Sequence, residues 1–258
     1  MKVGIFQSAG GGCSPQERAD RLSAAIKGKG IDLVVCPELF ISGYNVGIEL
    51  TEQSDSSQGW HYQLMSEIAC QNETGIIYGY PEREGNILYN SAACISPVGK
   101  LIANHRKRAN SPGSFEEDYF TPADGMTIFT YEGMKVAVVI CYEVEFPESI
   151  RQAACNGAQL VAVPTALVDK WRVVAERVVP TRAFENGVWV AYANHAGEEN
   201  GFTYLGGSRI VDPDGVEAAK AGSSEELIVA DISKDAVAAA QARLPYLRDF
   251  GRFSKTHN

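Results

Sequence analysis

Three side chains of this 258-residue chain combine reactive types with places where chemistry is usually done. Glu38 ends the apolar run "LVVCPE", Lys107 ends "KLIANHRK", and Cys141 ends "VAVVIC". Each run has the length and composition of a strand, and in open α/β sheets sites gather at the carboxyl ends of strands. A cysteine nucleophile needs a base to take its proton and a cation or donor for the oxyanion that forms. Glutamate, lysine and cysteine make one such set. Histidine is the more familiar partner of a reactive cysteine. His105, two residues before Lys107, and His195, after the strand "VWVAYAN", are the alternatives, and neither sits in a Cys–His signature. Taken singly, each group has a plainer use: Cys141 as a small core residue, Glu38 in a solvated loop, Lys107 on a charged edge.

The elements that must position these groups alternate along the chain. Ser14-Pro15-Gln16-Glu17 is a capping box with proline in the first turn, and it starts a helix that stops at Gly30. A strand leads to Pro37-Glu38, residues 57–72 predict a second helix, and "GIIYGYPER" returns to strand. "ILYNSAACISPVGKLIANHRKR" predicts a hairpin turning at Pro97-Val98-Gly99, and another hairpin across Glu132-Gly133 leads into the Cys141 strand. Pro147 opens a helix that closes at Asn156-Gly157, "AQLVAVPTAL" is a buried strand, and residues 171–186 predict a helix kinked at Pro180. Ser233 caps a short alanine-rich helix, and residues 245–258 form a C-terminal tail. Strand–helix–strand–helix–strand thus occurs twice, at residues 1–80 and 135–195, with no linker between. That predicts one layered α/β domain over residues 1–258.

Composition narrows the partners. A formal charge of −9 argues against nucleic acid or an anionic membrane surface, which call for clustered Lys and Arg. No apolar run approaches the roughly 18 residues of a membrane span. "MKVGIFQSAG" reads as a first strand rather than a signal peptide, so a cytoplasmic location is expected. The six cysteines fall singly, as reduced thiols do, and the four histidines show no metal-ligand spacing, so no metal site is expected.

Taken together, "VVCPELFISGY", "NHRKR" and "VVICYEVEFPE" resemble the three signature blocks of the nitrilase, or carbon–nitrogen hydrolase, superfamily, in order and rough spacing. "YGYPER", "YNSA", "VPTA", "RAFENGVWVAYAN" and "GGSRIVDPDG" also look like family blocks, so the resemblance covers most of the chain. "ISGYNVG", "ICYEVEFPE" and "LPYLRDF" look closest to bacterial aliphatic amidases of the 5-aminopentanamidase type. The resemblance implies a four-layer αββα sandwich, a homodimer or larger assembly, and hydrolysis of a small-molecule amide with no cofactor. By motif, Cys141 corresponds to the nucleophile, Glu38 to the general base and Lys107 to the oxyanion-stabilising cation, with the backbone N–H of Tyr142 as its companion. A second glutamate commonly precedes an aromatic–Phe stretch; counting back from Tyr119-Phe120 favours Glu116 over Glu117. Tyr44, Glu143, Thr165, Trp171 and Glu176 fall in segments that line the family's pocket, where Glu143 or Glu176 would meet a substrate ammonium.

The chain departs from the family at His105-Arg106-Lys107-Arg108-Ala109-Asn110-Ser111, where members commonly read Tyr-Arg-Lys-x-His-Leu-Phe. A second departure is Pro122-Ala123 in place of Pro-Gly. The expectation is an amidase acting on a short linear amide through a cysteine thioester. The alternatives are a nitrilase, an N-carbamoyl amide hydrolase, a thiol redox sensor that would need Cys155 to resolve Cys141, and a catalytically silent binding subunit.

Overall fold

The computed structural model describes residues 1–253 and contains two six-stranded sheets packed face to face. The first is built from β1 (Lys2–Gln7), β2 (Leu33–Val35), β3 (Gly75–Glu84), β4 (Ile87–Ile95) and β5 (Leu101–Arg106). The second starts with β6 (Thr127–Tyr131), β7 (Met134–Val138), β8 (Leu160–Pro164) and β9 (Trp189–Ala193). After a small separate hairpin, β10 (Glu198–Glu199) and β11 (Phe202–Thr203), it is completed by β12 (Arg209–Val211) and β13 (Glu217–Lys220). β14 (Glu226–Asp231) then crosses back to the first sheet beside β1. The spatial orders are β14-β1-β2-β3-β4-β5 and β13-β12-β9-β8-β7-β6. β1, β2 and β3 run parallel, as do β7, β8 and β9, and antiparallel strands flank both trios.

The parallel strands are buried on both faces, as their unbroken apolar runs require. Val3, Val35, Ile77, Val136, Leu160 and Ala191 point between the sheets and form the central core. The outer face of the first sheet, with Phe6, Val34 and Tyr78, packs on helices α1 (Pro15–Ile26) and, past a short turn α2 (Glu49–Glu52), α3 (Trp60–Asn72). The outer face of the second, with Ala137, Val161 and Val190, packs on residues of the helical segments 147–155 and 179–186. The molecule is therefore a four-layer αββα sandwich.

Local signals act as their chemistry dictates. Ser14 Oγ accepts from Glu17 N at 3.3 Å while the Glu17 carboxylate accepts from Ser14 N at 2.7 Å, so the capping box is closed in both directions. The helix predicted over 57–72 begins at Trp60. The segment predicted as one helix over 171–186 is instead three pieces: a 3-10 turn Asp169–Trp171, a π-helical stretch Val174–Val178 and an α-helix Val179–Asn186. Pro180 lies in the first turn of the last piece, where its missing N–H costs little, and the wide π turn absorbs the mismatch before it. The tail expected over 245–258 contains a helix, Tyr246–Phe250, and its residues 254–258 lie outside the described residues. Among the described residues no helix is long and apolar enough to cross a membrane.

Candidate active site

Glu38 and Cys141 each lie three residues beyond the end of a parallel strand, β2 in one sheet and β7 in the other. Face-to-face packing brings those two strand ends to the same edge of the sandwich. Gly79 on β3 allows the Glu38 turn to lie directly on the sheet: a Cβ there would fall 2.3 Å from Leu39 N and 2.6 Å from Pro37 O. Glu38 N also donates to Thr165 O across the sheet boundary at 3.3 Å. Cys141 opens a 3-10 turn, Cys141–Glu145, with a left-handed φ of 47°. A left-handed non-glycine residue is strained by roughly 1–2 kcal/mol, and such strain collects at functional sites. Lys107 follows β5 and is pinned through its main chain, its N–H donating to Asn90 O at 2.8 Å and its O accepting from Ala123 N at 3.0 Å.

The buried cluster centres on Lys107, which is 1% exposed. Its ammonium donates to Glu38 Oε1 at 2.7 Å and to Glu116 Oε1 and Oε2 at 2.9 and 2.6 Å. Glu116, on the one-turn helix α4 (Glu116–Tyr119), also accepts from Tyr44 OH at 2.6 Å and Ser111 N at 3.3 Å. Its neighbour Glu117 accepts instead from Gly113 N, on the solvent side. Glu38 Oε1 takes a further hydrogen bond from Asn90 Nδ2 at 2.7 Å, whereas Glu38 Oε2 is buried with no partner.

One cation between two carboxylates leaves a surplus negative charge, and the surroundings decide which acid carries it. Burial pushes Glu38 up to about 7, with Glu116 adding to the rise and Lys107 opposing it. Burial also acts on Glu116, but Lys107 and the Tyr44 hydroxyl outweigh it and hold Glu116 below the usual carboxylate range. Lys107 is itself raised: burial lowers it, and Glu38, Glu116 and Cys141 together more than offset that. The Cys141 thiol is driven well above its ordinary value by burial and by Glu38, against the pull of Lys107 and the Ala166 N–H. Glu38, Lys107 and Glu116 thus all act on the sulfur. At neutral pH the proton rests on the thiol, and Glu38 is near its midpoint.

Neither histidine is placed to serve the sulfur. His195 Nε2 donates to the main-chain O of Glu38 at 2.7 Å, and burial lowers the ring to about 4, so it is neutral. His105 Nε2 donates to Glu143 Oε2 at 2.9 Å.

Of the other residues singled out in the sequence, Tyr44 joins the cluster through Glu116, and Thr165 borders it through Glu38 N and Tyr192 OH, the latter 3.4 Å from Thr165 Oγ1. Tyr142 occupies the second position of the Cys141 turn, where 3-10 geometry gives its N–H no acceptor within the turn. Glu143, Trp171 and Glu176 do not join the cluster. Glu143 folds back to cap its own turn, accepting from Ile140 N at 2.6 Å, and is otherwise held by His105 and by Arg108 Nε at 2.7 Å. Trp171 is 52% exposed, and Glu176 pairs on the surface with Arg172.

Asn90, which holds Glu38 Oε1, is a site residue that the sequence reading misses, since an asparagine inside a strand carries no pattern of its own. Its position within "YNSA", one of the resembling blocks, was the available signal.

The carbon–nitrogen hydrolase family profile matches residues 14–242. A hydrolase in the pqqF 5′ region of Pseudomonas protegens is 36% identical over 259 residues, 96% of this chain and 88% of that one. An (R)-stereoselective amidase of a Pseudomonas species is 30% identical, covering 96% of this chain and 91% of its own length. A glutamate-to-glutamine mutant of the amidase from Nesterenkonia sp. AN1, solved with the product of Michael addition of acrylamide at its active-site cysteine, superposes with a TM-score of 0.85. It is 30% identical, covering 97% of this chain and 99% of that one. The present chain belongs to the carbon–nitrogen hydrolase family, within the nitrilase superfamily.

Proposed function

We propose that the chain is an amidase that cleaves small linear amides, ω-amino amides among them, to a carboxylic acid and ammonia through a thioester on Cys141. One observation carries this reading: the unpartnered, buried Glu38 Oε2, in a cluster whose charges act on a thiol that keeps its proton at rest. An oxygen left bare at such a place costs stability, and a waiting proton acceptor is what it is suited to be. The similarity to amidases supports the same reading.

The substrate carbonyl oxygen is received by the Lys107 ammonium and the Tyr142 N–H. The sulfur of Cys141 adds to the carbonyl carbon while Glu38 takes the thiol proton. Glu38 passes that proton to the nitrogen, the C–N bond breaks, and ammonia departs, leaving the thioester. Water then adds to the thioester carbon and gives a proton to Glu38; the C–S bond breaks, the acid leaves, and the proton returns to sulfur. Because the thiol lies far above Glu38, its proton moves as the C–S bond forms and no thiolate stands ready beforehand. Both oxygens of Glu116 accept from Lys107 and so keep the ammonium charged and fixed between base and oxyanion.

For the far end of an ω-amino substrate, Glu145 is the better acid than Glu143 or Glu176. Glu143 is spent on His105 and Arg108, and Glu176 on Arg172. Glu145 closes the Cys141 turn and is half-buried; burial raises it, while Lys107 and Arg182 act from a distance against that rise. Among the described residues no cation pairs with it directly.

Ammonia release from pentanamide, 5-aminopentanamide, a dicarboxylic monoamide, an N-carbamoyl compound and a nitrile tests the proposal. Wild-type protein is expected to release ammonia from the two linear amides, faster from the amine-bearing one, and Cys141→Ala from neither. Undiminished release by Cys141→Ala overturns the mechanism, and release confined to the nitrile or the carbamoyl compound overturns the amidase reading.

A further inference from the structure

A second carboxylate system lies behind the cluster. Glu199, in the two-residue strand β10, is 1% exposed and accepts five hydrogen bonds. Oε1 accepts from Arg18 Nη2 at 3.2 Å and Gly11 N at 3.3 Å. Oε2 accepts from Tyr44 N at 3.0 Å, Asn45 N at 2.7 Å and Tyr204 OH at 2.6 Å. The loop closes on it only because residue 43 is glycine. Gly43 has φ +88°, and a Cβ there would fall 2.5 Å from Glu199 Oε1 and 2.9 Å from Arg18 Nη2. Burial raises the Glu199 carboxyl, but the Tyr204 hydroxyl, the Asn45 N–H and the Arg18 guanidinium hold it below the usual carboxylate range, so the group is ionised at neutral pH.

Two of these contacts lead to the candidate site by separate routes. Tyr44, held at its N–H, turns its hydroxyl onto Glu116 at 2.6 Å. Tyr204, held at its hydroxyl, packs its ring on His195 with centroids 5.1 Å apart, and His195 Nε2 holds the Glu38 main-chain O at 2.7 Å. One buried charge therefore fixes the supports of both carboxylates that flank Lys107.

We infer that Glu199 is a positioning residue that sets the placement of Glu38 and Glu116 against Lys107, through Tyr44 on one side and Tyr204 with His195 on the other. This rests on the proposed roles of Glu38 and Glu116. Glu199 itself touches neither the substrate nor the reacting atoms. Its effect is to hold Glu38 in its place against Lys107 and to keep Glu116 from drawing Lys107 away. A displacement of about 1 Å at such a distance from the chemistry can cost about 100-fold in rate.

The test is steady-state ammonia release across pH for wild type, Glu199→Gln and Tyr204→Phe, with thermal melts run alongside. Glu199→Gln replaces an acceptor oxygen with an amide N–H₂ that must face either the two donors on Oε1 or the three on Oε2. It is expected to lower kcat by about 10- to 100-fold with KM held within about threefold, and to move the acid limb of kcat/KM away from that of wild type. That limb reports Glu38, which faces Lys107, Glu116, Cys141, Tyr44 and Tyr204. Tyr204→Phe keeps the ring on His195 and loses only the bond to Glu199; it is expected to shift the limb in the same sense with a smaller loss of kcat. A structural role alone would lower the melting temperature and leave kcat of the folded enzyme and its limb unmoved, and that result overturns the inference. If Glu199→Gln does not fold, Tyr204→Phe decides by the same criteria. A wild-type enzyme that releases no ammonia from any linear amide overturns instead the reading on which the inference rests.

Discussion

Two buried charge clusters lie side by side where β5 ends, and they differ in one respect. His105 and Arg108 hold Glu143, whose two oxygens take four donors: His105 Nε2, Arg108 Nε, Arg108 N and Ile140 N. Lys107, between them in sequence, holds Glu38 and Glu116, and there one oxygen of Glu38 takes nothing. The electrostatics follow the count. The Glu143 carboxyl is pushed up by burial yet lowered overall to about 2 by His105, Arg108 and the Ile140 N–H, whereas Glu38 rises to about 7. A saturated carboxylate stabilises the fold and has no capacity left for reaction. An unsaturated one costs stability and can accept a proton. Burial and charge are common to both clusters, so neither property separates scaffold from site; the unspent acceptor does.

The contrast can be pressed from its strongest effect downward. Lys107→Met removes the cation held between two buried carboxylates and is expected to destabilise by about 3–5 kcal/mol in urea unfolding, besides abolishing ammonia release. Glu143→Gln is expected to cost about 3 kcal/mol, the worth of a carboxyl held near 2 instead of its ordinary 4.5. Because that carboxyl is depressed in the fold, its contribution is complete above the unfolded value and disappears as pH falls toward 2. Unfolding curves of Glu143→Gln and wild type should therefore converge in acid; a constant gap at every pH would break the assignment.

Glu38→Gln should act in the opposite direction on stability. Its folded pKa is raised from 4.5 to about 7, so ionised Glu38 costs stability above that range, and wild type regains it as pH falls toward 4.5. The variant is expected to melt higher than wild type at pH 8, with the gap closing below pH 5, while ammonia release falls by at least about 100-fold. Equal melting at pH 8 would place Glu38 with the saturated cluster. The smallest effect belongs to the turn itself. Cys141→Gly should be more stable than Cys141→Ala by about 1 kcal/mol, because only glycine sits at a φ of 47° without strain. A less stable glycine variant would mean that the turn is not strained.

Much of this was legible in the sequence because it depends on local chemistry. Capping by Ser14 and Glu17, the buried strands and the doubled strand–helix pattern follow from spacing, and so do the strand-end positions of Glu38 and Cys141. The difference between Glu143 and Glu145 was not legible. Both follow Cys141 within one turn, and only the tight 3-10 path returns the first of them to Ile140 N. The helix expected at 171–186 is divided by a π-helical stretch ahead of Pro180, which leaves the proline in the first turn of the last piece, and the apolar spacing of the run carries no mark of that division. Glu199 beside Glu198 looks like a solvated loop pair; a two-residue hairpin and a glycine far away at position 43 fold it inside. Long-range closure decides such residues, and period and composition carry no trace of it.

The central claim, that sulfur of Cys141 forms the bond to the acyl group, is tested most directly by acid-quenching turnover of a linear amide and mapping peptides by mass. The acyl mass is expected on the peptide containing Cys141, in wild type, with neither adduct nor ammonia from Cys141→Ala. Ammonia release by Cys141→Ala at the wild-type rate, with no adduct on either protein, would contradict it.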